Sequence, residues 1–87
     1  IGTCRLLHGE GTTKLGRLAV ERPARGRGIA GALLEEAERA VRRAGNSRIV
    51  LDAQVDALGV YERAGYRGEG VVFVEAGIDH LRLVKDL

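Results

Sequence analysis

At Ile29 the spacing of apolar residues changes period, and that change fixes most of what the chain can become. Ile29, Leu33, Ala37, Ala40, Val41 and Ala44 recur at helical spacing, while Glu35, Glu36, Glu38, Arg39, Arg42 and Arg43 cover the opposite face. The spacing predicts an amphipathic helix over residues 29–44. Its glutamates come early, its arginines late and Gly45 just past the end, as the helix dipole and a glycine C-cap favour. Upstream, two short apolar segments, residues 1–7 and 15–21, flank the turn-forming run His8-Gly9-Glu10-Gly11-Thr12-Thr13-Lys14 and predict an antiparallel hairpin. Downstream, residues 48–53 read as a buried strand and residues 56–64 as a second helix closed by Gly65. Residues 66–75 and 80–84 read as an antiparallel pair around Ala76-Gly77-Ile78-Asp79. The expected fold class is α/β with a mixed sheet.

With 87 residues there is room for one small domain. Fourteen Lys and Arg against twelve Asp and Glu leave a formal charge of +2, too sparse for a dedicated nucleic-acid binder. Two tyrosines, one phenylalanine and no tryptophan leave few platforms on which bases could stack. The single cysteine, Cys4, excludes an internal disulfide and reads as a small strand residue, and His8 and His80 stand apart, so no metal is expected. No apolar run approaches the roughly 20 residues of a bilayer span, and no basic-then-apolar leader opens the chain. A cytoplasmic protein without a membrane partner is therefore expected. The first residue, Ile1, already stands in a strand-like segment, so an N-terminal portion is expected to precede it. The resulting unpaired edge of the first strand would favour a homodimer.

Between the hairpin and the helix, Gly26-Arg27-Gly28-Ile29-Ala30-Gly31 matches G-x-G-x-x-G, and Asp52 follows at a strand end about 20 residues on, as in dinucleotide-binding folds. Two features argue against that reading. Arg22-Pro23-Ala24-Arg25 separate the strand from the first glycine, and the preceding hairpin means that this strand is not expected to open a βαβ unit. The same residues suit another anion site, in which successive backbone N–H groups at a helix start point into the turn. Gly28 and Ala30 keep bulk away from phosphate oxygens, and Arg22, Arg25 and Arg27 add positive charge suited to a pyrophosphate. A glycine-rich connection with solvated arginines is the plainer alternative.

These residues resemble the GNAT superfamily of N-acetyltransferases. The family signature Q/R-x-x-G-x-G/A is met by Arg25-Gly26-Arg27-Gly28-Ile29-Ala30, within a longer similar stretch, LGRLAVERPARGRGIAGALLEEAERAVRRAG. Residues 54–66, QVDALGVYERAGY, resemble the second family motif, N-x-x-A-x-x-F-Y-E-K-x-G-F, and FVEAGIDHLRL is similar to the F-x-E-A-G-I-P-H-x-x-M tail of a bacterial subgroup. Gln54 stands where many relatives carry asparagine, and Asp79 where the subgroup carries proline. The resemblance implies a GNAT-like mixed, mostly antiparallel sheet with helices packed on it. It also implies that residues 1–87 are the C-terminal, acetyl-CoA-binding part of a single domain whose first strands and helices are missing.

The activity implied is acetyl transfer from acetyl-CoA to a primary amine by direct attack, with no metal. The resemblance puts the pantetheine arm along Leu18, Ala19 and Val20, in a slot opened by a splay from residues 49–53, with a backbone N–H near Ala19 or Val20 facing the thioester oxygen. Arg25, Gly26, Arg27, Gly28, Ile29, Ala30 and Gly31 would hold the pyrophosphate, and Gln54 would also contact the cofactor. Tyr61, the tyrosine of the second motif, is implied as general acid, its alternative being a core aromatic. Glu21 is a candidate base or a solvated carboxylate, and His80 an acceptor-site residue or a structural histidine. Glu75 and Asp79 could shape a site for a cationic amine. A non-catalytic acyl-CoA-binding or interaction module is the alternative function.

Overall fold

The computed structural model describes residues 2–20 and 29–87. Strands β1 (Gly2–His8) and β2 (Thr12–Val20) form the expected hairpin, followed by helix α1 (Ile29–Arg43) and strand β3 (Arg48–Gln54). A 3₁₀ turn (Val55–Ala57) leads into helix α2 (Leu58–Arg63), and strands β4 (Arg67–Glu75) and β5 (Ile78–Asp86) close the fold. The five strands make one sheet in the order β1-β2-β3-β5-β4, with β1 and β4 at its edges. Only β2 and β3 pair in parallel; the β1–β2, β3–β5 and β4–β5 pairs are antiparallel. The sheet is thus mixed and mostly antiparallel, as expected.

Because β2 and β3 are parallel neighbours joined through α1, these three elements do form a βαβ crossover, which corrects the expectation drawn from the hairpin. A strand can be the second arm of a hairpin on one side and open a crossover on the other. What distinguishes the arrangement from a dinucleotide fold is that antiparallel strands flank the parallel pair on both sides.

The core lies between α1 and one sheet face. Leu34, Ala37 and Val41 of α1 pack with Leu15 of β2, Ile49, Leu51 and Ala53 of β3, Leu83 of β5, and Tyr66. Alternation along β3 puts every second residue into this layer, as a strand's period of two requires. The helix face is rotated from the one expected. Leu34 rather than Leu33 is fully buried, Ala44 is exposed, and Glu38, assigned to the charged face, is buried. No acidic residue stands in the first helical turn either, because the glutamates begin at Glu35, while Arg42 and Arg43 do occupy the last.

Both helices end as their glycines predict. At α1, Gly45 (φ 83) lets its amide reach the Arg42 carbonyl and the Asn46 amide reach that of Val41. At α2, Gly65 (φ 95) does the same for Glu62 and for Tyr66 to Tyr61. These paired bonds are the Schellman closure, which satisfies carbonyls that a helix end otherwise leaves unpaired. The buried Asn46 side chain then ties the α1 end to the β1–β2 turn, accepting from the Gly11 amide at 3.1 Å and donating to Thr13 Oγ1 at 2.8 Å.

The β4–β5 connection is tighter than expected. Ala76 (φ 54) and Gly77 (φ 75) alone make the turn, and Ile78 and Asp79 belong to β5. Two positive φ angles define the type I′ hairpin turn, whose twist matches that of the flanking strands. Alanine there carries a left-handed backbone that costs about 1–2 kcal/mol, of which glycine would return roughly 0.5–1 through its own flexibility. Ala76→Gly is accordingly expected to raise unfolding stability by about 0.5–1 kcal/mol, and Ala76→Val to lower it, in urea denaturation of the same preparation.

Candidate functional site

Hydrogen-bonded pairing between β2 and β3 runs only from Thr12↔Arg48 to Leu15↔Leu51. Beyond those four pairs β2 continues to Val20 beside β1, where Gly2↔Val20 and Thr3↔Ala19 remain in register. Strand β3 continues to Gln54 beside β5, through Asp52↔Arg82, Ala53↔Leu81 and Gln54↔His80. Each strand keeps its antiparallel neighbour and leaves the parallel one. Between them lies an opening bordered by residues 16–20 on one side and 52–54 on the other. An extended chain with amide groups of its own could add there as a strand would, because backbone N–H and C=O groups without a ladder partner need one.

A bulge marks the point of departure. From Thr3 to Arg5 on β1 is two residues, whereas their partners Ala19 and Gly16 on β2 are three apart. The extra residue of β2 increases local twist and re-aims the backbone where the strand leaves β3. The splay implied by the family resemblance was expected against residues 49–53, but Ile49, Val50 and Leu51 remain paired with Thr13, Lys14 and Leu15, so the opening begins only at Asp52. The bulge was not expected, and its one local signal is Gly16 inside a strand.

Leu18, Ala19 and Val20 lie on the β2 side of this opening. Ile29, Ala30 and Gly31 form the first turn of α1. Glu21, Arg25, Gly26, Arg27 and Gly28 lie outside the described residues. Gln54 ends β3, exposed, at the head of the 3₁₀ turn, without capping it through its side chain.

Tyr61 sits on α2, half-buried, packed against the core and edge to face with Tyr66 at 6.1 Å between ring centroids. Its hydroxyl makes no hydrogen bond among the described residues, and burial pushes its phenol pKa up, so it keeps its proton. His80 lies on β5 opposite Gln54, beside the end of the opening. Its Nδ1 donates to the Ile78 carbonyl at 2.7 Å, so in the neutral tautomer that makes this bond Nε2 is the ring nitrogen with a lone pair. The ring stacks on Phe73 at 5.8 Å. Near it, Asp52, Glu69, Phe73, Glu75 and Arg82 line a shallow cavity of about 440 Å³ on the sheet face opposite the core. Glu75 thus borders this cavity, and Asp79 is not part of its lining.

Asp52 is engaged by neighbours rather than open to a ribose. Its carboxylate accepts from Arg82 Nε at 3.0 Å and pairs with Lys14 Nζ at 3.5 Å. Partial burial works to raise its pKa, but the Arg82 hydrogen bond and the Arg82 and Lys14 charges outweigh it and hold the carboxyl below its usual range.

A family model described as "Acetyltransferase (GNAT) domain" matches residues 1–87. The chain belongs to the GNAT acetyltransferase family. It is 34% identical over 87 residues to the "Uncharacterized N-acetyltransferase YjcF" of Bacillus subtilis, covering 99% of this chain and 62% of that protein. The crystal structure of a putative N-acetyltransferase from Lactobacillus plantarum superposes with a TM-score of 0.93 at 27% identity, over 100% of this chain and 60% of that one. A GNAT family acetyltransferase from Elizabethkingia anophelis, solved with acetyl-CoA bound, shares the fold at a TM-score of 0.82 and 21% identity, over 100% and 69%. The chain spans about three-fifths of the length of the first two.

Within this GNAT sheet the Asp52 pairing is open to a direct check. A carboxyl whose folded-state pKa lies below its unfolded value contributes stability above the unfolded value, near 3.9, and loses it as pH falls through the folded one. Asp52→Asn should flatten the acid limb of the stability curve below about pH 4. Because its cationic partners are half-exposed, the cost at neutral pH should be no more than about 1 kcal/mol by thermal or urea unfolding.

Proposed function

We propose that this chain is the C-terminal, acetyl-CoA-binding part of a GNAT domain that transfers an acetyl group from acetyl-CoA to a primary amine. The observation that carries the reading is the parting of β2 from β3 beyond Leu15↔Leu51. It leaves two strand edges that fit the amide-bearing pantetheine arm, next to a helix start that follows a glycine- and arginine-rich segment. The acetyl-CoA reported in the Elizabethkingia neighbour supports the same ligand here.

Acetyl-CoA supplies an acyl group activated as a thioester. The backbone of Leu18, Ala19 and Val20 lines the arm, and an N–H near Ala19 or Val20 holds the negative charge that develops on the carbonyl oxygen as the amine nitrogen bonds to carbon. Arg25, Gly26, Arg27, Gly28, Ile29, Ala30 and Gly31 cradle the pyrophosphate, and Gln54 contacts the cofactor at the end of β3. The amine must lose a proton, and His80 Nε2 is the acceptor best supported by geometry, with Glu21 the competing base. The Tyr61 phenol protonates the departing thiolate as the carbon–sulfur bond breaks. Helix α1 and the core occupy one face of the sheet, so the amine approaches from the other, where Glu75 and Phe73 border the cavity beside His80. In isolation the 87-residue chain exposes the outer edge of β1, which supports edge-to-edge homodimerisation.

Tyr61→Phe keeps the edge-to-face contact and removes only the hydroxyl. In an enzyme limited by chemistry it should lower kcat on the order of 10²-fold with acetyl-CoA affinity and Tm little changed. An unchanged kcat would remove Tyr61 from the chemistry, and a large fall in Tm would make it a core residue.

Gly28→Val addresses the cofactor itself: titration calorimetry should show CoA bound much more weakly while the melting temperature holds. Parent-like binding would sink the pyrophosphate assignment. Binding of acetyl-CoA without turnover on any amine, in this chain and in the full-length protein alike, would instead mark a non-catalytic acyl-CoA-binding module.

A further inference from the structure

Glu38 is a buried carboxylate for which the proposed chemistry has no use. It is 5% exposed, and both of its oxygens are engaged: Oε1 accepts from Lys85 Nζ at 2.9 Å and Oε2 from the Tyr66 hydroxyl at 3.0 Å. Lys85 Nζ also donates to the Ala64 carbonyl at 2.7 Å and lies 5.6 Å from the Tyr66 ring centroid. Helix α1, strand β5 and the end of α2 therefore meet at one ammonium and one carboxylate. Burying the carboxylate fully and the ammonium in part is costly, and apolar side chains of similar size often match such a pair in stability. What the pair supplies is a fixed geometry.

Helix α2 needs one. It has six residues, none of them fully buried, and a helix that short does not persist by itself. The carbonyl of its C-cap residue, Ala64, accepts from the Lys85 ammonium, at the helix end where a cation is favoured. Gly65 then turns the chain so that the Tyr66 amide bonds the Tyr61 carbonyl and the two rings meet edge to face. A side chain on Gly65 would face both a positive φ and Lys85 Cε at 3.3 Å. The path from Glu38 to Tyr61 is thus one hydrogen bond, one ring contact and one backbone bond.

We propose that Glu38 and Lys85 are positioning residues, which hold α2 and, through the Tyr66 ring, set the Tyr61 hydroxyl where it meets the leaving sulfur. The proposal rests on the reading of Tyr61 as general acid. It makes α1 a ruler: its first turn follows the phosphate-binding segment and its middle fixes the acid, so one rigid element registers both ends of the bound cofactor.

The test is a double-mutant cycle in the full-length protein at saturating acetyl-CoA. Tyr66→Phe keeps the ring contact but frees Glu38 Oε2, and should lower kcat about tenfold, within the couplings seen between neighbouring residues. In a Tyr61→Phe background the same change should cost less than about twofold, and CoA affinity should be equal in all four proteins. Lys85→Met should behave as Tyr66→Phe does, and serves in its place if that variant does not fold; Lys85→Arg, which keeps the cationic cap, should retain most of kcat. Equal losses in both backgrounds, or losses carried by CoA affinity, overturn the proposal. If Tyr61→Phe alone leaves kcat unchanged, the acid assignment fails, and ¹³C-tyrosine ring resonances decide the positioning separately. Lys85→Met must then shift or broaden the Tyr61 signals while Lys85→Arg preserves them, and unmoved signals in Lys85→Met overturn it.

Discussion

Two neighbouring strands that run in the same direction for four residue pairs and then separate organise everything else in this molecule. The separation has a physical cause on each side. Strands β1 and β5 offer β2 and β3 antiparallel ladders that continue where the parallel one stops, and antiparallel pairing is somewhat the more stable per residue. A bulge in β2 adds twist at the same level, so the strands diverge while each stays paired on its outer side. The crossover through α1 bridges the closed end to the open one, and the helix supplies the apolar face that the sheet needs on that side.

Much of this was legible in the residues because it rests on period and on backbone chemistry. The run from Ile29 onward could only be a helix, and Gly45 and Gly65 end their helices with the positive φ that glycine accepts readily. The β4–β5 hairpin was legible in outline, but its length was not. A two-residue turn here requires alanine in a left-handed conformation, which no residue-type rule announces. The expectation of a slot and the role proposed for Tyr61 came from family resemblance, since spacing alone reads Tyr61 as a core tyrosine; His80 was a candidate only as a rare residue type at a sheet position.

Glu38 shows where reading by residue type failed. It stands four residues after Leu34 and three before Val41, which is the spacing of the buried stripe, yet its charge placed it on the solvent face. Its partner Lys85 is distant in sequence, and Tyr66 follows a helix that residue patterns describe only roughly. A buried carboxylate is affordable only when its partners exist, and partners that converge from three elements are invisible until the chain is folded. The rotation of α1 that replaces Leu33 by Leu34 in the core belongs to the same error, since counting Glu38 as solvated pulls the inferred face away from it.

The outer strand β4 carries Val71, Val72 and Val74 with their side chains exposed, on an edge of the sheet. Such a row of β-branched residues would ordinarily template pairing with another chain and seed insoluble assemblies. Here the register against β5 jumps between Glu69 and Phe73, with Gly70 at φ 82 beginning the irregular stretch, so Val71 and Val72 sit where the strand has lost its regular pleat, while Val74 is back in register with Asp79. Glu69 and Glu75 bracket the segment as gatekeeping charges. The irregularity that borders the cavity near His80 therefore also interrupts this edge as a template for another strand, so edge protection and the shape of that cavity depend on the same few backbone atoms.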